Sequence, residues 1–191
     1  LSINPLDDAA IISGDLSSTA QEDSSISGTI NATDVEGLTD GTYFSISTNT
    51  NNGNATINPA TGDWSYTPNT NYNGLDQFTV TVTDDLGGTT SQIVSLTINP
   101  VDDAASISGD ISGIGQEDGN PISGTINATD LEGLTDNSYF SISSTATKGV
   151  ASIHETSGDW TYTPNPNYNG LDQFTVTVTD DLGGTTSQIV A

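Results

Sequence analysis

Four acidic motifs occur twice in this chain. Asn-Pro-Leu-Asp-Asp at 4–8 returns as Asn-Pro-Val-Asp-Asp at 99–103, and Gln-Glu-Asp at 21–23 returns at 116–118. Asp-x-Glu-Gly at 34–37 returns at 130–133; Leu-Asp-Gln at 75–77, with Asp-Asp at 84–85, returns at 171–173 and 180–181. Carboxylates grouped without histidine or cysteine are ligands for hard cations. Ca²⁺ takes six to eight oxygens in flexible geometry, Mg²⁺ prefers water-rich octahedra, and transition metals favour the nitrogen and sulfur donors missing here. Paired carboxylates also hydrolyse glycosides. A pair duplicated unchanged, with no basic residue beside it, argues against that chemistry, so no enzymatic activity is expected.

The charge balance points the same way. The chain has 25 acidic residues against Lys148 alone, and its net charge is −24. Nucleic acid and anionic membranes are bound through Lys and Arg, so neither is an expected partner. Charge of this density repels itself unless cations offset it. Two unit charges ~4 Å apart repel by about 4 kcal/mol at an effective dielectric of ~20.

The elements that must position these acids come from an internal repeat. Residues 71–94 recur unchanged at 167–190, and 26–34 recur at 122–130. The offset is 95 residues up to Gln21-Glu22-Asp23 and 96 beyond, one residue being added near Pro121. The sequence therefore divides into repeats at 1–98 and 99–191, the second expected to have a truncated last strand. Starting at Leu1 in mid-pattern, the chain reads as a piece of a longer protein. Short runs rich in Val, Ile, Thr and aromatics, separated by Gly, Asn, Asp and Pro, predict strands near 9–13, 26–32, 42–48, 54–58, 64–67, 77–83 and 89–98. In the sixth, Phe78, Val80 and Val82 should face inward. The fold class is then all-β: two tandem seven-stranded antiparallel Greek-key sandwiches, immunoglobulin-like or cadherin-like. Trp64 and Trp160 are expected in the cores, and Tyr72 and Tyr168 as tyrosine corners.

Alternating strand direction sorts the acids to the ends of each repeat. Glu22, Asp23 and Asp76 belong to connections at the C-terminal pole; Asp34, Glu36, Asp84 and Asp85 belong to connections at the N-terminal pole. Their counterparts are Glu117, Asp118 and Asp172, and Asp130, Glu132, Asp180 and Asp181, while Asp7, Asp8, Asp102 and Asp103 lie in the linkers. These 18 positions hold most of the 25 acids. Several Ca²⁺ ions are expected, at the junction and at the terminal poles. The junction set is Glu22, Asp23, Asp76, Asp102, Asp103, Asp130, Glu132, Asp180 and Asp181. The bland alternative is that these acids only keep loops soluble; their sorting to the poles argues for metal. Lys148 and His154-Glu155 occur in the second copy alone and are read as exposed. The outward threonines near 79–83 are common surface strand residues.

Asn-Pro-Val-Asp-Asp-Ala-Ala, Gln-Glu-Asp, Asn-Ala-Thr-Asp-Leu-Glu-Gly and the 71–88 block resemble the VCBS and cadherin-like repeats of bacterial RTX adhesins, including the tandem-95 type. The resemblance covers essentially the whole chain. It implies calcium-rigidified extender modules that project a distal ligand-binding region from the cell surface, in a secreted protein whose partners are its own neighbouring repeats and which is monomeric. Cadherins are similar in placing calcium between domains. Leu75-Asp76-Gln77-Phe78 looks like their Leu-Asp-x-Glu without the glutamate, Asp130-Leu131-Glu132 like Asp-x-Asp, and Val101-Asp102-Asp103 like the linker Asp-x-Asn-Asp. The alternative is a repeat that itself grips carbohydrate, ice or another copy, which would need an exposed aromatic platform or groove.

Overall fold

The computed structural model of the chain describes residues 1, 3, 6–35 and 37–191, so Glu36 lies outside the described residues. All elements among them are strands, and the chain divides into two units, Leu1–Val101 and Asp102–Ala191.

The first unit contains β1 (Ile11–Gly14), β2 (Ser17–Gln21), β3 (Ile26–Thr33), β4 (Phe44–Thr48), β5 (Gly53–Ile57), β6 (Asp63–Pro68), β7 (Gly74–Thr83) and β8 (Thr89–Asn99). They form two four-stranded sheets ordered β1-β3-β6-β5 and β2-β8-β7-β4. Alternation explains β7: Phe78, Val80 and Val82 are fully buried, with threonines on the other face. They meet Trp64 and Tyr66 from β6, and the Trp64 and Phe78 rings pack edge to face at 5.5 Å. Each such side chain contributes about 1.5–3 kcal/mol by leaving water.

All seven expected strands are present in the first unit, and one more is added near its N-terminal end. The strand expected near 9–13 is β1, which ends at Gly14, whose φ of 104° is one that side-chain-bearing residues avoid; the added strand, β2, lies in the connection that follows. β2 then crosses to the other sheet and pairs in parallel with β8, from Ser17↔Ser95 to Gln21↔Asn99. The unit is therefore eight-stranded, with one parallel pair.

The second unit contains β9 (Ser106–Gly109), β10 (Ile122–Thr129), β11 (Phe140–Ser144), β12 (Gly149–Ile153), β13 (Asp159–Pro164), β14 (Phe174–Thr179) and β15 (Thr185–Val190). Its sheets run β12-β13-β10-β9 and β11-β14-β15. Trp160 and Phe174 repeat the core contact at 5.6 Å. Residues 111–116, equivalent to the region of β2, carry no strand.

Neither Tyr72 nor Tyr168 makes the expected corner. Each hydroxyl donates at 2.6 Å to a carbonyl three residues downstream, Leu75 and Leu171 respectively, a local clasp that does not reach back along the chain.

Candidate metal centre

Each β-hairpin turn after the central strand is organised by its first aspartate. Asp84 Oδ1 accepts bonds from the Leu86 and Gly88 amides, both at 2.9 Å, and its backbone amide donates to the Gly88 carbonyl. Tying down one oxygen turns the other toward Asp7. A β-carbon on Gly88 would strike both carboxylates, so glycine keeps that cleft open. Local desolvation and the facing Asp84 carboxylate raise the Asp7 carboxyl above its ordinary value, with Asp34 and Asp8 adding to the effect.

The second unit repeats the arrangement with Asp102, Asp180 and Gly184. Desolvation, then the charge of Asp180, then Asp130 and Asp103, raises the Asp102 carboxyl. Asp130 Oδ1 accepts from the Glu132 and Gly133 amides at 3.0 and 3.2 Å, while its Oδ2 is buried with no hydrogen-bond donor. The Glu132 carboxyl is also raised by desolvation, opposed by the Asp103 amide donating to it at 3.2 Å and reinforced by Asp130. Asp102, Asp103, Asp130, Glu132 and Asp180 thus form a linked set within this unit.

Four other expected ligands are committed elsewhere. Asp85 accepts from the Thr39 amide at 2.9 Å and the Thr39 hydroxyl at 2.6 Å, and Asp181 does the same with Thr135 at 2.8 and 2.7 Å. Those bonds lower both carboxyls. Asp76 lies inside β7, not in a connection. It is buried, and accepts from the amides of Asn51, Asn52 and Gln77 and from the Tyr66 hydroxyl. Asp172 is likewise bonded to Thr147, Lys148 and Tyr162. Desolvation would raise Asp172, but the hydrogen bonds outweigh it and bring the carboxyl down to about 2. The same contact, after burial, pushes the Tyr162 hydroxyl up to about 12. Thr39, Tyr66 and the two glycines went unnoticed in the sequence. The Asp-Asp-Leu-Gly-Gly string, present in both repeats, was the available signal for the glycines.

At the other end of the first unit, Glu22 is 2% exposed. Its Oε1 accepts the Val101 amide at 2.5 Å, and its Oε2 is buried without a partner. Beside it Asp23, at φ 58°, accepts the Asn71 amide at 3.0 Å. In the second unit Asp118 makes the same bond to Asn167, but Glu117 is exposed and accepts from the Asn169 side chain at 3.2 Å.

Among the described residues, no three carboxylate or histidine side chains stand close enough together to enclose a metal ion. The donor set nevertheless fits one. Oxygens alone, an orphaned buried oxygen on Asp130 and another on Glu22, and clefts that a single methyl would fill are what a hard cation requires.

Fold and site together define a modular β-sandwich with carboxylates gathered in its loops. Residues 7–97 match the family described as Bacterial Ig domain, and residues 102–191 match the Bacterial cadherin-like domain. The chain is a pair of bacterial Ig-like and cadherin-like repeats. These families are non-enzymatic structural and adhesion modules, characteristically extracellular, and cadherin-like domains in general bind Ca²⁺. No functionally curated protein sequence matches the chain. Among solved structures, the Protocadherin GammaB4 extracellular domain aligns over 95% of this chain and 34% of its own at 16% identity, TM-score 0.55. Protocadherin gammaB7 EC3-6 aligns over 96% and 47% at 13% identity, TM-score 0.58. Mouse Cadherin-23 EC22-24 aligns over 94% and 63% at 20% identity, TM-score 0.53. At these identities the likeness is one of fold, and the chain spans less than two thirds of each.

Proposed function

We propose that the chain is a stretch of calcium-stiffened extender repeats in a secreted bacterial adhesin, attached to the cell surface and holding a distal ligand-binding region away from it. Its partners are the repeats on either side, with no nucleic acid or membrane contact. The observation that carries this reading is the facing pair Asp102 and Asp180 over Gly184, beside the orphaned Asp130 oxygen, matched by Asp7 and Asp84 over Gly88.

Asp102, Asp103, Asp130, Glu132 and Asp180 would hold ions in the second unit, and Asp7, Asp8, Asp34 and Asp84 in the first. Glu22 with Asp23, and Glu117 with Asp118, would serve the opposite poles. When bound, Ca²⁺ supplies the positive charge this chain lacks and accepts six to eight oxygens. Asp76, Asp85, Asp172 and Asp181 act one step back, fixing the loops that carry the ligands. Connectivity supports a role in stiffening: Val101 ends the first unit with its amide on Glu22, and Asp102, one peptide bond on, opens the second. A repeat-level carbohydrate binder would want aromatic rings on its surface, and both tryptophans are 2% exposed. Calcium titration followed by calorimetry tests the reading: saturable binding to a few sites supports it, and heat no different from buffer overturns it.

A further inference from the structure

The two repeats are identical over 71–94 and 167–190, yet they diverge along one strand. In and around β5 stand Asn52, Asn54, Asn58 and Pro59; the matching positions of β12 are Lys148, Val150, His154 and Glu155. The chain's one lysine and one histidine thus flank a single strand, with a glutamate beside the histidine. All four side chains are exposed, Val150 at 70%. None of them belongs to the candidate metal sites.

β12 is an edge strand. Its sheet runs β12-β13-β10-β9, so only one of its sides is paired. Backbone bonds fix what the open side offers. The His154 amide donates to Asp159 at 2.8 Å, and the Asn165 amide donates to Lys148 at 2.9 Å. Antiparallel pairs alternate, so Val150 and Ser152 also direct their amides and carbonyls to β13. Gly149, Ala151 and Ile153 therefore direct theirs to the open side. Charge or proline within a strand commonly blunts such an edge, and Gly149–Ile153 contains neither.

The geometry points to antiparallel pairing of β12 with β12 of a second copy of this chain, about a two-fold axis through Ala151. The free groups are satisfied only when odd-numbered residues face each other. This register sets Gly149 opposite Ile153, Val150 opposite Ser152 and Lys148 opposite His154. Lys148 of each molecule then lies next to Glu155 of the other, so the attraction is made twice, and the two Val150 side chains become diagonal neighbours. Parallel pairing would instead set Lys148 against Lys148 and Glu155 against Glu155. His154 adds no repulsion. Its Nδ1 accepts the Thr156 and Ser157 amides at 3.3 and 3.2 Å, which leaves the proton on Nε2 and the ring neutral. Because Lys148 is the chain's only Lys or Arg, this edge is where one acidic molecule can offer another a cationic side chain. Main-chain bonds supply the affinity and the flanking charges fix direction and register. The product is an isologous dimer in which two four-stranded sheets become one, in place of the monomer expected from the sequence.

Sedimentation velocity on the whole chain over a wide concentration range tests this. At roughly 0.15 M salt the screening length is about 8 Å, which damps the repulsion between two acidic molecules more than it damps adjacent charges. The mass should rise from monomer to dimer with concentration and stop there. Lys148→Glu and Glu155→Lys should each weaken the dimer on the order of tenfold, although the second makes the chain less acidic. An equimolar mixture of the two variants should regain the parent's association, because opposite charges then meet at both ends. Both positions are exposed, so the variants should melt as the parent does. Amide exchange should slow with concentration at Gly149, Ala151 and Ile153, and not at Gly53, Ala55 and Ile57 on the matching edge of the first unit. A mass independent of concentration, or a dimer that neither variant weakens, overturns the proposal. The dimer should persist in chelator, where the metal sites are empty; its loss there would assign association to the metal and overturn the strand pairing.

Discussion

In the second unit the carboxylates of Asp102 and Asp180 face each other over Gly184, and desolvation together with that facing charge lifts the Asp102 carboxyl above its ordinary 3.8. The charges are held together by the fold: Asp180 is fixed through Oδ1 by two turn amides, and Asp102 arrives on the linker. An arrangement that the metal-free protein resists is one that a cation or a proton can relieve.

Protons and calcium should therefore compete at this pole. A carboxyl raised in the folded state contributes stability below its unfolded value, and that contribution is lost as pH rises through the folded value. Metal-free protein should thus lose pole stability as pH climbs above 3.8, and calcium affinity should fall as pH returns toward that window. Titration calorimetry at several pH values checks it; an affinity flat with pH across that range would remove Asp102 from the site.

Calcium should raise the melting temperature and magnesium should raise it less. Binding to the native state alone adds about 2.7 kcal/mol at a hundredfold excess over Kd. Differential scanning calorimetry in calcium, magnesium and EDTA reads this directly, and identical transitions in all three would count against any metal site.

Individual ligands should separate from surface acids. Asp102→Ala should abolish the tightest site in the second unit, whereas Asp40→Ala should leave it intact, because Asp40 lies in the first unit, where its carboxylate accepts the amide of Thr42 in its own turn. Equal losses would mean that the acids act as a diffuse cloud.

Gly184→Ala offers a test that leaves every carboxylate in place. The added methyl enters the cleft between Asp102 and Asp180, so calcium affinity should drop at least as far as in Asp102→Asn. Unchanged affinity would place the ion elsewhere.

Asp76 should matter for folding whether or not metal is present. Asp76→Ala leaves the Tyr66 hydroxyl and two loop amides without their acceptor, at a cost of about 2–4 kcal/mol. Asp172 carries the matching pH signature. Its carboxyl is depressed to about 2, so its contribution is present above the unfolded 3.8 and disappears as pH falls through about 2. Acid unfolding followed by circular dichroism should show the Asp172→Asn protein losing less stability between those values than the parent.

Much of the fold could be read along the chain because it rests on short-period patterns. The alternation Phe78-Thr79-Val80-Thr81-Val82 marks β7 and its buried face. β2 could not be read in this way: Ser17-Ser18-Thr19-Ala20-Gln21 has no apolar run, and it is a strand because β8 lies beside it. The candidate site divides similarly. Which acids gather at a pole follows from strand direction, but what each oxygen does depends on distant partners. Asp84 and Asp85 are adjacent and chemically identical, yet one turns toward Asp7 and the other is held by Thr39, 46 residues away.

The parallel pairing of β2 with β8 has a consequence for load. β2 lies near the start of the first unit and β8 at its end, so tension applied through the chain termini pulls the two strands past each other. Five residue pairs, Ser17↔Ser95 to Gln21↔Asn99, then bear the force in shear and must give way together. An antiparallel hairpin pulled at its open end would instead unzip rung by rung. The first unit is therefore built to resist stretching along its length.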